Sequence, residues 1–497
     1  MMGGSLVETM VVSAPLAAPL GAGAVAAVAG WRRAIGWVAV AAAAVILATG
    51  VVAAYRTIDG SVLVAGGLRV DALSAVMLLV IGAVALIATW AGVGYIEDEL
   101  STGHTDVRAA HVYGVLVPLF LAAMVLAVLA NNLGVLWAAV EGTTIVTAFL
   151  VGHRRTRESL EATWKYVMIC SVGIAMAYLG TVLMYFASRH AGIDGDGSLD
   201  WTLLMAQAHQ LDPGVTRIAF ALMVLGFGTK AGLVPLHSWL PDAHSQAPAP
   251  VSALMSGVLL SVAVYALLRY RIVVVAVLDP GFVRGLLVAV ALASLVLAAS
   301  LLLVQGDYKR MLAYSSMEHM GLVVVGLAAG TRPAVAASLL HILGHGIAKA
   351  VLFCGSGQIL AAEGSTRITD VRGLLTRRPL LGVTFAVGLA ALLGLPPFSL
   401  FASQLGLARA AASAGMGWAV GVVMALLLVI FITIVARTAP MILGAAPENG
   451  AARASSRSAA PAAAPLVTGL VALAVLGVLA WPLEQLLSAA ATIAGTP

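Results

Sequence analysis

Three ionisable residues sit inside long apolar stretches: Glu141 in NNLGVLWAAVEGTTIVTAFLV, Lys230 in IAFALMVLGFGTKAGLVPLHSWL and Lys349 in ASLLHILGHGIAKAVLFCGSGQIL. A charge near the centre of a bilayer costs about 2.5–3.5 kcal/mol on insertion scales, so such groups face a wet interior and serve an ion pathway. Three of them on separate spans predict a conduction route. His341 and His345 precede Lys349 at strict four-residue intervals. At 3.6 residues per turn the three form a slowly drifting stripe, with steps of about 6 Å. Imidazole both accepts and donates, so the stripe can pass protons through intervening water. The alternative, histidines that only hydrogen-bond across packed helices, stays open. Metal ligation suits the pair less well, because a cation would meet Lys349 one turn away and no HExxH glutamate is present.

Two spans are interrupted by glycine and proline. FGTKAGLVPLHSWL breaks around Gly232 and Pro235, directly after Lys230, and ALLGLPPFSLFASQ breaks around Gly394, Pro396 and Pro397. Such residues free backbone groups that only a protein-lined, hydrated interior can satisfy, and paired broken helices point to a transport site in repeat-built transporters. A single proline kink is common in membrane helices, so the weight rests on the pairing and on the adjacent lysine.

The elements that must position these groups follow from composition. Of 497 residues, 61% are hydrophobic and 10% charged, with mean hydropathy +1.03. That predicts an all-α integral membrane protein and excludes a soluble domain. The net charge of +5 is scattered over short loops, which excludes a nucleic-acid partner. A window of about 20 residues yields about fourteen transmembrane helices, the first at 11–30, the two broken ones at 216–238 and 380–403, and the last at 465–488. The absence of a basic stretch before Glu8 predicts that the first span is retained. Cys170 and Cys354 lie in apolar spans with no CxxC or CxxH partner, so neither a disulfide framework nor a metal cluster is expected. GIDGDGS, with Asp194 and Asp196, lacks the EF-hand spacing and reads as a surface turn. The Ala/Ser/Pro-rich stretch at 445–465 reads as a flexible linker.

The segments GFGTKAGLVPLHSWLPDAHSQAPAPVSALMSG (226–257), QGDYKRMLAYSSMEHMGL (305–322) and LLHILGHGIAKAVLFCGSGQI (339–359) resemble the antiporter-like membrane subunits of complex I, Mrp antiporters and membrane-bound hydrogenases. SSMEHMG and the HxxxHGxxK spacing are most similar to hydrogenase-4 component F. The resemblance runs from DALSAVMLL at Asp71 to GLPPFSLF at Phe401. It implies two inverted five-helix repeats, with N-terminal helices at 1–111, a first repeat at 112–275, a second at 276–440, and a linker with a last helix at 441–497. It also implies that Glu141 pairs with Lys230 to load and release a proton, and that Lys349 is the central lysine of the second repeat with His341 and His345 as water-linked neighbours. Asp242 and His244 match a family motif that shapes the following loop. No redox centre is implied on this chain. Iron–sulfur, nickel–iron or quinone chemistry would sit on partner subunits, with other membrane subunits and peripheral redox subunits as partners and protons or Na⁺ as cargo. The implied location is the plasma (inner) membrane. The long lateral helical arm of the largest complex I subunit is expected to be lacking.

Two departures stand out. Relatives place a lysine or histidine on the eighth span to bridge the half-channels, where SALMSGVLLSVAVYALLRY offers Ser252, Ser256 and Ser261. After the second break, where relatives carry a glutamate or lysine, this chain has Gln404. Both positions are neutral, which leaves three readings: a proton-translocating subunit of an oxidoreductase complex, a subunit of a redox-independent cation/proton antiporter, or a non-conducting scaffold.

Orientation follows from basic residues. Of the 27 lysines and arginines, two lie within spans, sixteen in loops on one side and nine in loops on the side of the N-terminus. The positive-inside rule then places both termini outside the cytoplasm. A cytoplasmic reporter inserted beside Arg453 is expected to be active, and one fused after Pro497 silent; a strong cytoplasmic signal from the C-terminal fusion reverses the assignment.

Overall fold

The computed structural model describes residues 2–193, 195, 197–445, 459–479 and 481–495. Asp194, Asp196, Arg453 and most of the 445–465 linker therefore lie outside the described residues. Among the described residues the regular structure is helical apart from a short antiparallel hairpin, β1 (Leu63–Ala65) and β2 (Leu68–Val70), closed by Gly66 and Gly67, both with positive φ. The helices before the first break are α1 (Met2–Ala29), α2 (Arg33–Thr57), α3 (Ala72–Ser101), α4 (Val107–Leu129), α5 (Leu133–Val151), α6 (Arg157–His190), α7 (Trp201–Ala206) and α8 (Pro213–Lys230). Then follow α9 (Trp239–Gln246), α10 (Ala249–Leu254), α11 (Leu260–Val274), α12 (Pro280–Val304), α13 (Tyr308–Ala329), α14 (Arg332–Glu363), α15 (Leu374–Arg377) and α16 (Pro379–Leu392). After the second break come α17 (Ser399–Ala411), α18 (Gly417–Leu443), α19 (Ala459–Val478) and α20 (Trp481–Ala494).

Helix starts are written locally. The side chains of Asp71, Asp106, Asp212, Asp279 and Asp307 each accept a hydrogen bond from a backbone N–H in the first turn, and Asn132 and Thr156 do the same. Pro213 and Pro280 follow their caps at the position where a missing N–H costs nothing.

Among the described residues, eleven helices are long and apolar enough to cross a membrane, or twelve if the bent pair Ala462–Val478 and Leu483–Ala494 counts as one span. This differs from about fourteen. The difference lies at the breaks: α8 ends at Lys230 and α16 is short, while α17 and α18 run together as one helical stretch of 45 residues.

Burial sorts the helices into two layers. The most apolar stretches of α10–α11 and α13 are wholly buried and those of α3 and α14 nearly so, whereas α1, α2, α5, α6, α12 and α17–α18 turn large apolar side chains outward. The inner helices touch through glycine. A methyl on Gly346 of α14 would lie 2.9 Å from the carbonyl oxygen of Gly257, and a methyl on Gly257 would lie 2.9 Å from that of Gly346. Only glycine permits such backbone contact. Gly257 sits in a five-residue π-turn, Met255–Leu259, between α10 and α11. Outside this core, Gly173 and Ala177 of α6 pack on Thr229 and Gly226 of α8. In α19, Gly477 lies against the carbonyl oxygen of Pro397 in the second break.

A buried ion pair ties the core together near one end. Arg269 on α11 donates through Nη1 and Nη2 to Asp71 at 2.8 and 2.7 Å, through Nε to Tyr265 Oη at 2.9 Å, and to Ser74 Oγ at 3.0 Å. Removing one member strands a buried charge, which costs about 3–5 kcal/mol. Arg269→Leu is therefore expected to lower unfolding free energy by about 3–5 kcal/mol, measured by denaturation in detergent; a change near zero would show that Asp71 finds another partner.

Candidate functional site

Lys230 ends α8 and is fully buried. Its Nζ donates to Tyr166 Oη at 2.9 Å, and Tyr166 Oη shares a 2.5 Å hydrogen bond with Thr147 Oγ1. The close packing of Gly173 and Ala177 on α8 sets this contact, because Tyr166 lies two turns before Gly173 on the same face of α6. The ammonium also sits at the carbonyl end of a helix, where the dipole favours a cation.

Beyond Lys230 the chain turns through Gly232 at φ 75° and Pro235. The backbone groups freed there are satisfied internally. Trp239 Nε1 donates to Thr229 O at 2.9 Å, and the Val234 N–H donates to Ser294 Oγ of α12 at 3.0 Å. The second break turns through Gly394 at φ 70°, then Pro396 and Pro397, with the Gln404 side chain lying directly on Gly394.

Glu141 approaches this site from α5 without a hydrogen bond to Lys230. It is half-buried on α5, accepts from Thr144 Oγ1 at 3.0 Å, and shares its helix with the exposed Ile145 and Phe149. No ion pair of 4.0 Å or less joins it to Lys230, although the two interact electrostatically.

Lys349, also fully buried, donates to Leu312 O at 2.6 Å and Ser315 Oγ at 2.5 Å, both on α13. One turn further along α13 are Glu318 and His319, both buried. Sequence reasoning passed over these two. Glu318 interacts electrostatically with Lys349. His319 Nδ1 and His341 Nε2 share a hydrogen bond of 2.9 Å, and His341 Nδ1 lies 3.0 Å from Ser403 Oγ. Ser403 Oγ also lies 3.0 Å from Leu400 O. If the Ser403 hydroxyl donates to Leu400 O, His341 carries its proton on Nδ1 and accepts from His319 Nδ1–H; if it donates to His341, both tautomers reverse. The result is a hydrogen-bonded string from α13 through α14 to α17. His345 completes the cluster with its ring 5.0 Å from that of His319; both of its nitrogens are buried without a partner.

His244 lies between the two lysine sites. Its buried ring stacks on Phe353 at 5.1 Å, one turn from Lys349, and faces Trp239 at 6.5 Å; Trp239 in turn meets Tyr166 at 5.1 Å. Both ring nitrogens of His244 lack a partner. The serines expected at the bridge point elsewhere: Ser261 Oγ donates to Gly257 O within its own helix, Ser256 shares a 2.7 Å hydrogen bond with Ser316, and Ser252 donates to His244 O. The resemblance implied a bridging residue on the eighth span; the side chain found between the two lysine sites is His244 of α9. Among the described residues no group of three or more His, Cys, Asp or Glu side chains is arranged to hold a metal ion.

The family signature described as NADH:quinone oxidoreductase/Mrp antiporter, TM, matches residues 130–431, which hold both lysines and the whole histidine cluster. The chain belongs to this family. A hydrogenase-4 component F homolog of Methylacidiphilum infernorum is 39% identical over 337 residues, 67% of this chain and 70% of that protein. Hydrogenase-4 component B of Escherichia coli is 30% identical over 349 residues, which are 68% of this chain and 50% of that longer protein. Among solved structures, a chain of the membrane-bound sulfane sulfur reductase, an archaeal respiratory membrane complex, superposes with TM-score 0.84 over 98% of this chain and 97% of its own, at 24% identity. A chain of the Mrp complex from Dietzia sp. gives TM-score 0.82 over the same shares, also at 24% identity. At that identity the structures establish the family fold.

A charge-assisted hydrogen bond contributes about 1.5–3 kcal/mol. Tyr166→Phe is expected to destabilise by about that much, and by under about 1 kcal/mol in a Lys230→Met background, where no ammonium remains to be left unpaired. Thermal unfolding of the four proteins checks this; equal losses in both backgrounds would mean that Tyr166 acts through packing.

Proposed function

We propose that the chain is a proton-translocating, antiporter-like membrane subunit of a respiratory-type oxidoreductase complex, with redox chemistry on partner subunits. The observation that carries this reading is the buried string of titratable and hydroxyl groups: Tyr166 and Lys230, then His244, then Lys349 with Ser315 and Glu318, then His319, His341 and Ser403. Such a series, placed at bilayer depth and sealed from lipid by an outer helical layer, is how membrane proteins hold protons in transit. Glu141 loads Lys230 from the side of α5, and Glu318 gives Lys349 an acid of its own. Within this reading the helices count as fourteen spans, with each broken helix as one, in two inverted repeats at 112–275 and 276–440 after an N-terminal unit at 1–111 and before a linker and last helix at 441–497.

The relatives named for hydrogenase-4 favour a hydrogenase-like complex; this reading adds nickel–iron, iron–sulfur or quinone groups on other subunits and a plasma-membrane location, and the bias of basic residues between loops puts both termini outside the cytoplasm. The redox-independent cation/proton antiporter, moving protons or Na⁺, uses the same lysines and stands as the alternative. The scaffold reading draws on Ser261, which bonds to its own backbone, and on Gln404, a neutral amide beside the second break.

Lys230→Ala and Lys349→Ala are each expected to abolish proton uptake by vesicles holding the complex, while the complex still assembles. Gln404→Glu, which places an exchangeable acid at the second break, is expected to raise flux in a manner lost with Lys349→Ala. Full uptake in both lysine variants would establish the scaffold.

A further inference from the structure

The helix that carries His244 has only eight residues, lies between the first break and Pro248, and is too short to hold itself in place. Its position must therefore come from its contacts. One of its residues, Asp242, reaches the rim of the helix layer and takes two cations from different helices. Lys165 of α6 donates to Asp242 Oδ2 at 3.1 Å, and Arg310 of α13 approaches Asp242 Oδ1 at 2.7 Å. A third cation, the buried Lys309 of α13, donates to the carbonyl oxygens of Ser245 and Ala247 at the end of α9, at 3.0 and 3.2 Å.

The helices clamped in this way are those that hold the two lysine sites. α6 supplies Tyr166 to Lys230, and α13 supplies Leu312 and Ser315 to Lys349. Asp242 joins them across α9, two residues from His244 on the inside of the same helix. We infer that Asp242 is a positioning residue: its carboxylate clips α6 to α13 and thereby fixes His244 between Lys230 and Lys349, so that a proton passes from one site to the other.

The inference rests on the proton-translocation reading and extends it to the junction between the sites. Each ion pair at the rim is half-exposed and contributes little stability alone. The effect of the clip is geometric, because a reacting group displaced by about an ångström can lose up to about a hundredfold in rate.

The test uses the full chain in the complex with which it purifies, reconstituted in vesicles, and reads proton uptake together with assembly. Asp242→Asn is expected to lower uptake about tenfold, inside the range such displacement produces, with normal assembly. Asp242→Glu should restore most of it, since only the carboxylate is needed. Lys165→Gln and Arg310→Gln should each lower uptake, and the two together should do no more than Asp242→Asn. Glu161→Gln, which removes the outer partner of Lys165 and leaves Asp242 untouched, should change nothing. Wild-type uptake in Asp242→Asn, or no recovery in Asp242→Glu, overturns the inference. Where Asp242→Asn fails to assemble, Arg310→Gln alone decides, with reduced uptake supporting the clip and wild-type uptake overturning it. Lys349→Ala separates the two readings: uptake that survives it removes proton translocation through this chain, whereas uptake abolished by it but untouched in Asp242→Asn removes only the clip.

Discussion

A primary ammonium at bilayer depth must be given oxygen partners by the protein, because lipid offers none. Much of the architecture around Lys230 and Lys349 meets that demand. Lys230 receives a tyrosine hydroxyl and the carbonyl end of its own helix; Lys349 receives a backbone carbonyl and a serine hydroxyl from a neighbouring helix. To bring those oxygens within reach, helices must approach more closely than ordinary side chains allow. Glycine stands at the contacts: Gly173 and Gly226 beside Lys230, Gly257 and Gly346 one turn from Lys349. Charge burial, helix spacing and the broken backbone are one constraint seen from three sides.

The lysines, the histidine stripe and both breaks were legible in the sequence because each shows itself within one segment, as a charge in an apolar run, a four-residue interval or a Gly-Pro pair. Helix starts were equally open to reading, since a capping aspartate and a following proline act locally. Glu318 and His319 were passed over although their motif was in view. Ser315, Glu318 and His319 recur at three and four residues and so share one face, which was the signal that could have found them. Tyr166 gave no such signal, since a tyrosine in an apolar helix looks like packing until the lysine it meets is known.

What sequence could not supply was rotation between helices. Glu141 and Lys230 lie on α5 and α8, and no spacing along either one says whether their side chains turn towards each other. In the structure Glu141 turns towards Thr144, and the lysine is met by Tyr166 from a third helix. The eighth span carries only serines at the positions where relatives place a bridge, as its sequence shows. The three serines on that span bond to backbone or to another serine, and the space between the lysines is filled by His244, from a helix too short for any periodicity to be read.

Gly477 has a consequence for how the protein is made. Helix α19 supplies it, and it rests on the carbonyl oxygen of Pro397 and on Phe398 and Ser399, in the turn of the second broken helix. During synthesis the chain at Pro397 emerges well before Gly477 does, by on the order of 4–16 s at about 5–20 residues per second. Throughout that interval the turn lacks the contact that Gly477 later makes with it. The second break is thus completed from α19, and a nascent chain stalled before that helix would leave the break without its last contact while the first lysine site is already made.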